Sequence, residues 1–211
     1  MPALQRRLLP LAALVLAGCG SSQQATIFEF SFERLDSSGV KYTGSGDFSA
    51  APWNCVRDLN TGLIWEVKTP DAGPRSSANT YTWYAPDNES DGELDYRGTP
   101  NGGRCTGSDC DISAYVNYVN EAGLCGIKEW RLPTKDEFAT ISDPRKPLKR
   151  PTIDVAYFPE AQPGEYWTAN DYSFMHDAAW AWNFEYSHDR VDWKKSPKFV
   201  RLVHGQHKPR R

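Results

Sequence analysis

Acidic side chains near the middle of the chain alternate in the way that calcium-binding loops require. The carboxylates are those of Asp87, Glu89, Asp91 and Glu93, and Gly92 occupies the sixth position of the pattern. Hard oxygen ligands around a glycine-containing turn suit Ca²⁺. The twelfth position of such a loop needs a bidentate glutamate, but this chain has Gly98 there. Calcium is therefore the one cofactor that the sequence suggests, with a solvated acidic loop as the default interpretation.

Tryptophan side chains with polar neighbours in the C-terminal third could bind sugars. Indole rings stack on sugar rings, while amides and charged groups beside them bond hydroxyls or pair with sulfates. The candidate ligand-binding residues are Trp167, Asn170, Asp171, Trp180, Trp182, Asn183, Trp193, Lys194 and Lys195. A ring in an alternating strand is more often core than binding surface, and that alternative stays open for Trp180 and Trp182.

The N-terminal residues have the layout of a bacterial lipoprotein signal peptide. Arg6 and Arg7 precede an apolar run over 8–16, which is too short for a bilayer core that needs ~20 residues. Small residues then precede Cys19, so residues 1–18 are expected to be removed and Cys19 to be lipidated, with 19–26 as the lipidated tether. An ordinary cleavable signal with a chance cysteine is the alternative. Gly20 is not the aspartate that retains similar lipoproteins at the inner membrane, which favours the outer membrane, with the domain facing the periplasm or the cell surface.

The four cysteines that remain after lipidation predict disulfides. They are Cys55, Cys105, Cys110 and Cys125. An even number in an oxidising compartment indicates two bridges, and four cysteines permit three connectivities. Pairing Cys55 with Cys125 and Cys105 with Cys110 is favoured. A zinc site is the rival, but no C-x-x-C spacing or paired histidine accompanies the cysteines.

Composition and charge exclude several classes. The chain of 211 residues has 27 acidic and 24 basic side chains, which argues against nucleic-acid binding. It is 39% hydrophobic, which is typical of a globular domain, expected over 27–205. Basic clusters at 145–150 and in the tail 206–211 could meet an anionic polysaccharide or lipid phosphates, or could simply be solvated. No catalytic serine, zinc-protease or phosphate-loop motif is present, so an enzyme is not expected.

The elements that must position these residues are two helices between groups of strands. Asp111 is a candidate N-cap for a helix that runs to Ala122 and ends at Gly123. Thr134 and Glu137 have capping-box spacing at the start of a second helix. Alternation predicts strands over 27–33, 53–56, 62–67, 81–84, 166–169, 178–186, 190–193 and 199–204. The expected fold is α+β, with two helices, antiparallel strands at both ends and a long irregular loop region over 70–110.

Five segments of the chain resemble the Lcl C-terminal domain family. They lie at 55–65, 122–126, 130–134, 166–168 and 200–203, and the resemblance covers 53–204. It implies a C-type lectin-like fold in which N-terminal and C-terminal strands pair and the loop region carries binding. Family members are known as surface or adhesin modules that bind sulfated polysaccharides. The segment 130–134 also resembles formylglycine-generating enzymes, but these need cysteines late in the domain and none follows Cys125.

The function expected from the sequence is therefore that of a membrane-anchored envelope lipoprotein with a lectin-like domain. Its expected ligand is a carbohydrate, such as an anionic polysaccharide, or another surface polymer. A structural lipoprotein that binds an envelope protein is the alternative, since fold alone does not fix function.

Overall fold

The computed structural model describes residues 29–88, 94–145 and 151–207. These residues form two α-helices and two antiparallel sheets, which confirms the predicted α+β class. Within these ranges, no helix has both the length and the apolar character needed to cross a membrane.

The larger sheet joins the first strands of the domain to the last one. Its strands are β1 (Phe32–Leu35), β2 (Cys55–Asp58), β3 (Ile64–Glu66) and β7 (Val203–His204), in the order β1-β2-β3-β7. All neighbours are antiparallel, and Trp65 of β3 lies opposite Val203 of β7. The implied pairing of N-terminal with C-terminal strands is therefore confirmed.

The smaller sheet is a meander of β4 (Glu165–Asp171), β5 (Ala178–Asn183) and β6 (His188–Trp193). One face places Trp167 against the core cluster that contains Tyr115 and Trp130. The other face places Trp182 in the cluster that contains Phe138 of the second helix. Both faces of this sheet are thus covered at the end where β4 begins.

Both helices begin where the capping residues predict, and the first also ends at its predicted residue. In α1 (Ile112–Ala122), the Asp111 carboxylate accepts from the Ala114 amide at 2.9 Å, and Gly123 ends the helix at φ 64°. A short 3₁₀ turn follows at Leu124–Gly126. In α2 (Lys135–Thr140), Thr134 and Glu137 cap each other's backbone amides reciprocally. Local hydrogen bonding therefore fixes both helix starts.

Five predicted strands are shorter than the apolar pattern suggested, and two of them, 62–67 and 178–186, are trimmed only at their ends to β3 and β5. The strand predicted over 27–33 is β1, which begins at Phe32 because β2 turns away after Asp58, its partner. Residues 81–84 form only isolated bridges. Residues 199–204 cross from one sheet to the other, since Phe199 bridges Tyr166 and Val203 pairs with Trp65, so only β7 joins a ladder.

Both favoured disulfides are present. Cys55 is bonded to Cys125 and Cys105 to Cys110, with Cα atoms 6.6 and 5.4 Å apart. The first bridge ties β2 to the turn after α1, and the second closes a short loop before that helix. All four thiols are used in this way, which rules out the zinc alternative.

A charged cluster lies entirely inside the fold, beside β3. The carboxylate of Glu66 accepts from the hydroxyl of Tyr115 and from the amide of Leu202, and the ammonium of Lys68 lies 3.2 Å from it. Lys68 also lies 4.2 Å from the centre of the Tyr115 ring. Burial lowers the pKa of Lys68 to about 8, against the opposing effect of Glu66. This cluster connects β3, α1 and the C-terminal segment.

Candidate functional site

The exposure of the eight tryptophans separates two of them from the rest. Six are buried, with at most 8% of their surface accessible. These are Trp53, Trp65, Trp83, Trp130, Trp167 and Trp182. Trp180 is half-buried, and Trp193 is 43% exposed. Only these two rings therefore have a face available to a ligand.

The two accessible tryptophans lie on the same face of the smaller sheet. Ala178 of β5 is directly opposite Trp193 of β6, and Trp180 is directly opposite Val191. Directly opposite residues share a face, as do residues two apart on one strand. Trp180 and Trp193 are therefore diagonal neighbours, for which Cα atoms are typically about 7–8 Å apart. They occupy the half of this face that lies beyond the ring of Trp182.

The loop between β4 and β5 adds two more aromatic rings to this surface. The ring of Tyr172 lies 5.7 Å from Trp180 and 5.5 Å from Phe174. Phe174 is 84% exposed. We call the surface formed by Tyr172, Phe174, Trp180 and Trp193 the aromatic face. Exposed aromatic rings grouped in this way are characteristic of surfaces that contact a ligand or a partner.

The first residue of α2 borders the aromatic face. The ammonium of Lys135 lies 4.9 Å from the centre of the Trp180 ring and 2.8 Å from Asp189 on β6. The backbone amide of Lys135 donates to the side-chain carbonyl of Asn170 at 2.9 Å. The hydrogen bond with Asp189 raises the pKa of Lys135, so the ammonium stays charged. The helix start and β4 together hold this cation against the indole ring.

A pocket opens beside Trp193 at the other border of the aromatic face. Its volume is about 140 Å³. Its lining residues are Asp95, Gly98, Thr99, His176, Asp177, Trp193, Lys194 and Lys195. This is below the ~300 Å³ at which pockets enclose a drug-sized ligand, so it suits a single ring or an end group.

The side chain of Lys194 holds the two loops that form this pocket. It is 1% exposed, and its ammonium lies 2.9 Å from the Asp171 carboxylate. It donates to the carbonyls of Tyr96 at 2.7 Å and His176 at 2.8 Å. Gly98 allows its own loop to lie close to the backbone of Trp83. It has φ +90°, and a Cβ there would lie 2.3 Å from the Trp83 carbonyl oxygen.

Charges at the pocket rim are also paired. Both oxygens of Asp95 accept from the guanidinium of Arg97 at 2.9 Å. These hydrogen bonds lower the pKa of Asp95 to about 2, so it is ionised throughout the physiological range. Asp177 and Lys195 are exposed on the same rim.

Four of the predicted ligand-binding residues need correction, because the structure buries them. Trp167, Trp182 and Asn183 are buried, so they present no surface to a ligand. The side-chain carbonyl of Asn183 instead accepts from two amides of the following turn. Lys194 is also buried, and its ammonium pairs with the partly exposed carboxylate of Asp171.

The remaining predicted residues lie at or beside the aromatic face. Trp180 and Trp193 belong to it, Lys195 is on the pocket rim, and Asn170 positions the start of α2. Sequence reasoning missed Tyr172, Phe174, Lys135 and Asp189, which belong to the face or border it. An apolar pair, Phe174 and Met175, inside the polar loop 171–177 was the available signal.

Several predictions fall wholly or partly outside the described residues. Glu89, Asp91 and Glu93 of the calcium pattern are among them, as are Cys19 and most of both basic clusters. Asp87 is described and exposed. Elsewhere in the described ranges, no group of three or more His, Cys, Asp or Glu is placed to hold a metal ion. Calcium binding and lipidation therefore stay predictions.

Comparison with known proteins adds the family. The Lcl C-terminal domain family matches residues 54–204, well over half of the chain and the range from β2 to β7. No curated protein and no solved structure matches, so the C-type lectin-like fold implied by the resemblance stays a prediction. All five segments that carry the resemblance lie inside the matched range. The chain belongs to the Lcl C-terminal domain family.

Proposed function

We propose that this chain is a membrane-anchored envelope lipoprotein whose domain binds carbohydrate through the aromatic face. The observation that carries the proposal is the distribution of tryptophans: of eight, the only two with accessible rings are neighbours on one sheet face. Cys19 would carry the lipid, and the outer membrane is the proposed location.

The chemistry of the aromatic face fits sugar rings. Each apolar square ångström left in water costs roughly 25 cal/mol, so a cluster with Phe174 84% exposed is costly unless something covers it. Flat rings stack on the C–H faces of sugars, and the bordering carboxylates and amides can accept hydrogen bonds from sugar hydroxyls. The combination is typical of a wet, partly polar binding surface.

The ionisable groups at this surface favour binding over catalysis. A general acid or base works best with a pKa near the working pH. Here the hydrogen bonds from Arg97 keep the pKa of Asp95 at about 2, and the hydrogen bond with Asp189 raises the pKa of Lys135. Both groups therefore hold fixed charges, and we propose that the domain has no enzymatic activity.

A glycan array tests the proposal. The full chain, purified in a detergent without a sugar headgroup, is compared with Trp193→Ala and with Tyr186→Ala. Tyr186 is the matched control because it is 53% exposed but stacks on His188 at the other end of the strands. We expect Trp193→Ala to weaken glycan binding about tenfold, equivalent to about 1.4 kcal/mol, and Tyr186→Ala to leave it unchanged. Equal effects of the two substitutions, or no glycan bound, would contradict the proposal.

Protein binding is the second candidate function, favoured by one observation. Phe174 and Met175 are 84% and 39% exposed at the tip of the β4–β5 loop, and exposed apolar side chains of this kind often contact a protein partner. Crosslinking in intact cells separates the candidates. One specific protein crosslinked near Phe174, together with an empty glycan array, would favour the protein-binding function.

A further inference from the structure

We infer that the aromatic face binds an uncharged glycan chain rather than a sulfated one. The inference rests on the proposed function and specifies its ligand class. It departs from the sulfated polysaccharides that the family resemblance implies. It follows from the carboxylates with which the cations of this surface are already paired.

The cation that contacts the ring of Trp180 is already neutralised. The ammonium of Lys135 is 2.8 Å from the carboxylate of Asp189 and covers the ring of Trp180 at 4.9 Å. A sulfate at this point would have to displace Asp189 or lie beside its negative charge. Each option loses the electrostatic gain that makes a sulfate bind a lysine.

The cation behind the pocket is also unavailable. Lys194 is 1% exposed, and its three oxygen neighbours, on Asp171, Tyr96 and His176, lie at 2.7–2.9 Å. The ring of Trp83 lies 4.4 Å from the same ammonium. An ammonium has three donors, so this set satisfies all of them. Lys194 therefore acts on the pocket by holding its loops together and not by pairing with a ligand.

The rest of the rim carries opposite charges in balance. Arg97 pairs with Asp95 through both carboxylate oxygens. Lys195 and Asp177 are both exposed and both line the pocket, so a sulfate attracted by one is repelled by the other. Asp136 is a further exposed carboxylate on α2, next to Lys135 in the chain. Among the described residues, the pocket rim thus carries both signs of charge, which gives a polyanion little net attraction.

The described residues that flank the basic segment over 145–150 lie at the opposite end of the smaller sheet. They are hydrogen-bonded to the β5–β6 turn, Ser142 to Ser187 at 2.8 Å and Thr152 to Phe184 at 2.7 Å. Trp193 lies opposite Ala178, at the other end of the same ladder, five residues from Asn183. At about 3.4 Å per residue, these flanking residues lie roughly 17 Å from Trp193 along the strands, which exceeds the Debye length of about 8 Å at physiological salt.

What remains for recognition is stacking and hydrogen bonding. The aromatic face offers the rings of Trp180 and Trp193 as diagonal neighbours and Phe174 at its edge, which is more surface than one sugar ring covers. Carboxylates and backbone carbonyls accept from hydroxyls but repel sulfates. The fitting ligand is therefore several consecutive uncharged sugar units of a chain.

Matched pairs of glycans that differ only in charge test this inference. The full chain is titrated with neutral polysaccharides and with their sulfated counterparts, such as dextran and dextran sulfate, cellulose oligomers and their sulfates, and chitin oligomers and their sulfates. Each pair is measured at about 50 mM and about 500 mM NaCl, since salt weakens exposed charge pairs but not stacking. Trp193→Ala and the control variant Tyr186→Ala are titrated alongside.

We expect a neutral member to bind with a Kd that changes less than about twofold between the two salt concentrations. Trp193→Ala should weaken it about tenfold, and Tyr186→Ala, at the other end of the strands, should leave it unchanged. Tighter binding of the sulfated member of a pair, weakened by salt, would overturn the inference while leaving carbohydrate binding standing. No binding to either member of any pair would overturn the proposed function itself.

Discussion

Two regions of this molecule contain the same three groups, an ammonium, a carboxylate and an aromatic ring, and use them differently. Inside the fold, Lys68 pairs with Glu66 and lies 4.2 Å from the ring centre of Tyr115. At the surface, Lys135 pairs with Asp189 and lies 4.9 Å from the ring centre of Trp180. The partners and distances are similar, but the surroundings are not.

Burial accounts for the difference between the two regions. Desolvation lowers the pKa of Lys68 to about 8, whereas the hydrogen bond to Asp189 raises the pKa of Lys135. The interior group is locked by packing on every side and joins three segments of the fold. The surface group keeps one side toward solvent, so it can border a ligand. The comparison teaches that identical chemistry stabilises the fold in one place and shapes a binding surface in the other.

The largest expected effect is the removal of the interior carboxylate. Glu66→Gln leaves the buried cation of Lys68 without its counter-charge and removes a partner of the partly buried Arg75, and we expect a loss of roughly 3–5 kcal/mol in the free energy of unfolding. Asp189→Asn is the matched surface change and should cost less than about 1 kcal/mol. Denaturant titration of both variants measures the contrast. Similar losses would remove the distinction between the two regions.

The two disulfides should also differ in how much they contribute to stability. Replacing Cys55 and Cys125, which join the interior region, opens a loop whose closure contributes about 4 kcal/mol on the chain-entropy estimate. Replacing Cys105 and Cys110, in the loop before α1, should cost only about 2 kcal/mol. Thermal and denaturant unfolding of the two double variants ranks them. The reverse order would show that strain, rather than loop length, dominates.

The pH dependence of stability should reveal Lys68. Its pKa is about 8 in the folded chain and 10.5 as an ordinary value, so between these pH values the unfolded chain binds more protons. The contribution of Lys68 to stability therefore increases as pH rises from about 8 towards 10.5. We expect the free energy of unfolding of the wild type, relative to Lys68→Met, to rise between pH 7.5 and 9.5. A flat difference would mean that Lys68 is not desolvated in solution.

The smallest expected effect on stability comes from the surface ammonium. Lys135→Met removes a half-exposed ion pair and should change the free energy of unfolding by less than about 1 kcal/mol. It should nevertheless alter glycan binding, because it changes what covers the ring of Trp180. Binding and unfolding measured on the same preparation test this. A large loss of stability without a change in binding would show that Lys135 stabilises the fold, as Lys68 does, and does not shape the binding surface.

The sequence predicts those parts of this fold that local hydrogen bonds decide. Asp111, Gly123 and Thr134 act within one helical turn of their own positions, so both helices were predicted with their caps. Whether a tryptophan is buried, by contrast, depends on segments that are distant in the sequence. Trp180 and Trp182 belong to one alternating pattern, yet only Trp182 packs in the cluster that contains Phe138.

Neighbouring lysines show the same limit. Lys194 and Lys195 are indistinguishable in the sequence, but the loops that carry Tyr96 and His176 meet over Lys194 alone. Burial of this kind is set by tertiary contacts and has no local signal. The same reason explains why Lys135 and Asp189, 54 positions apart, were not foreseen as partners at the aromatic face.

Indole N–H signals in a ¹⁵N-edited NMR spectrum test the central claim most directly. The chain gives eight such signals, which Trp→Phe variants assign one by one. On titration with a neutral glycan chain, we predict that the signals of Trp180 and Trp193 shift together, while those of buried Trp65, Trp130 and Trp167 stay in place. Shifts confined to other tryptophans, or binding that moves neither Trp180 nor Trp193, would contradict a binding site on the aromatic face.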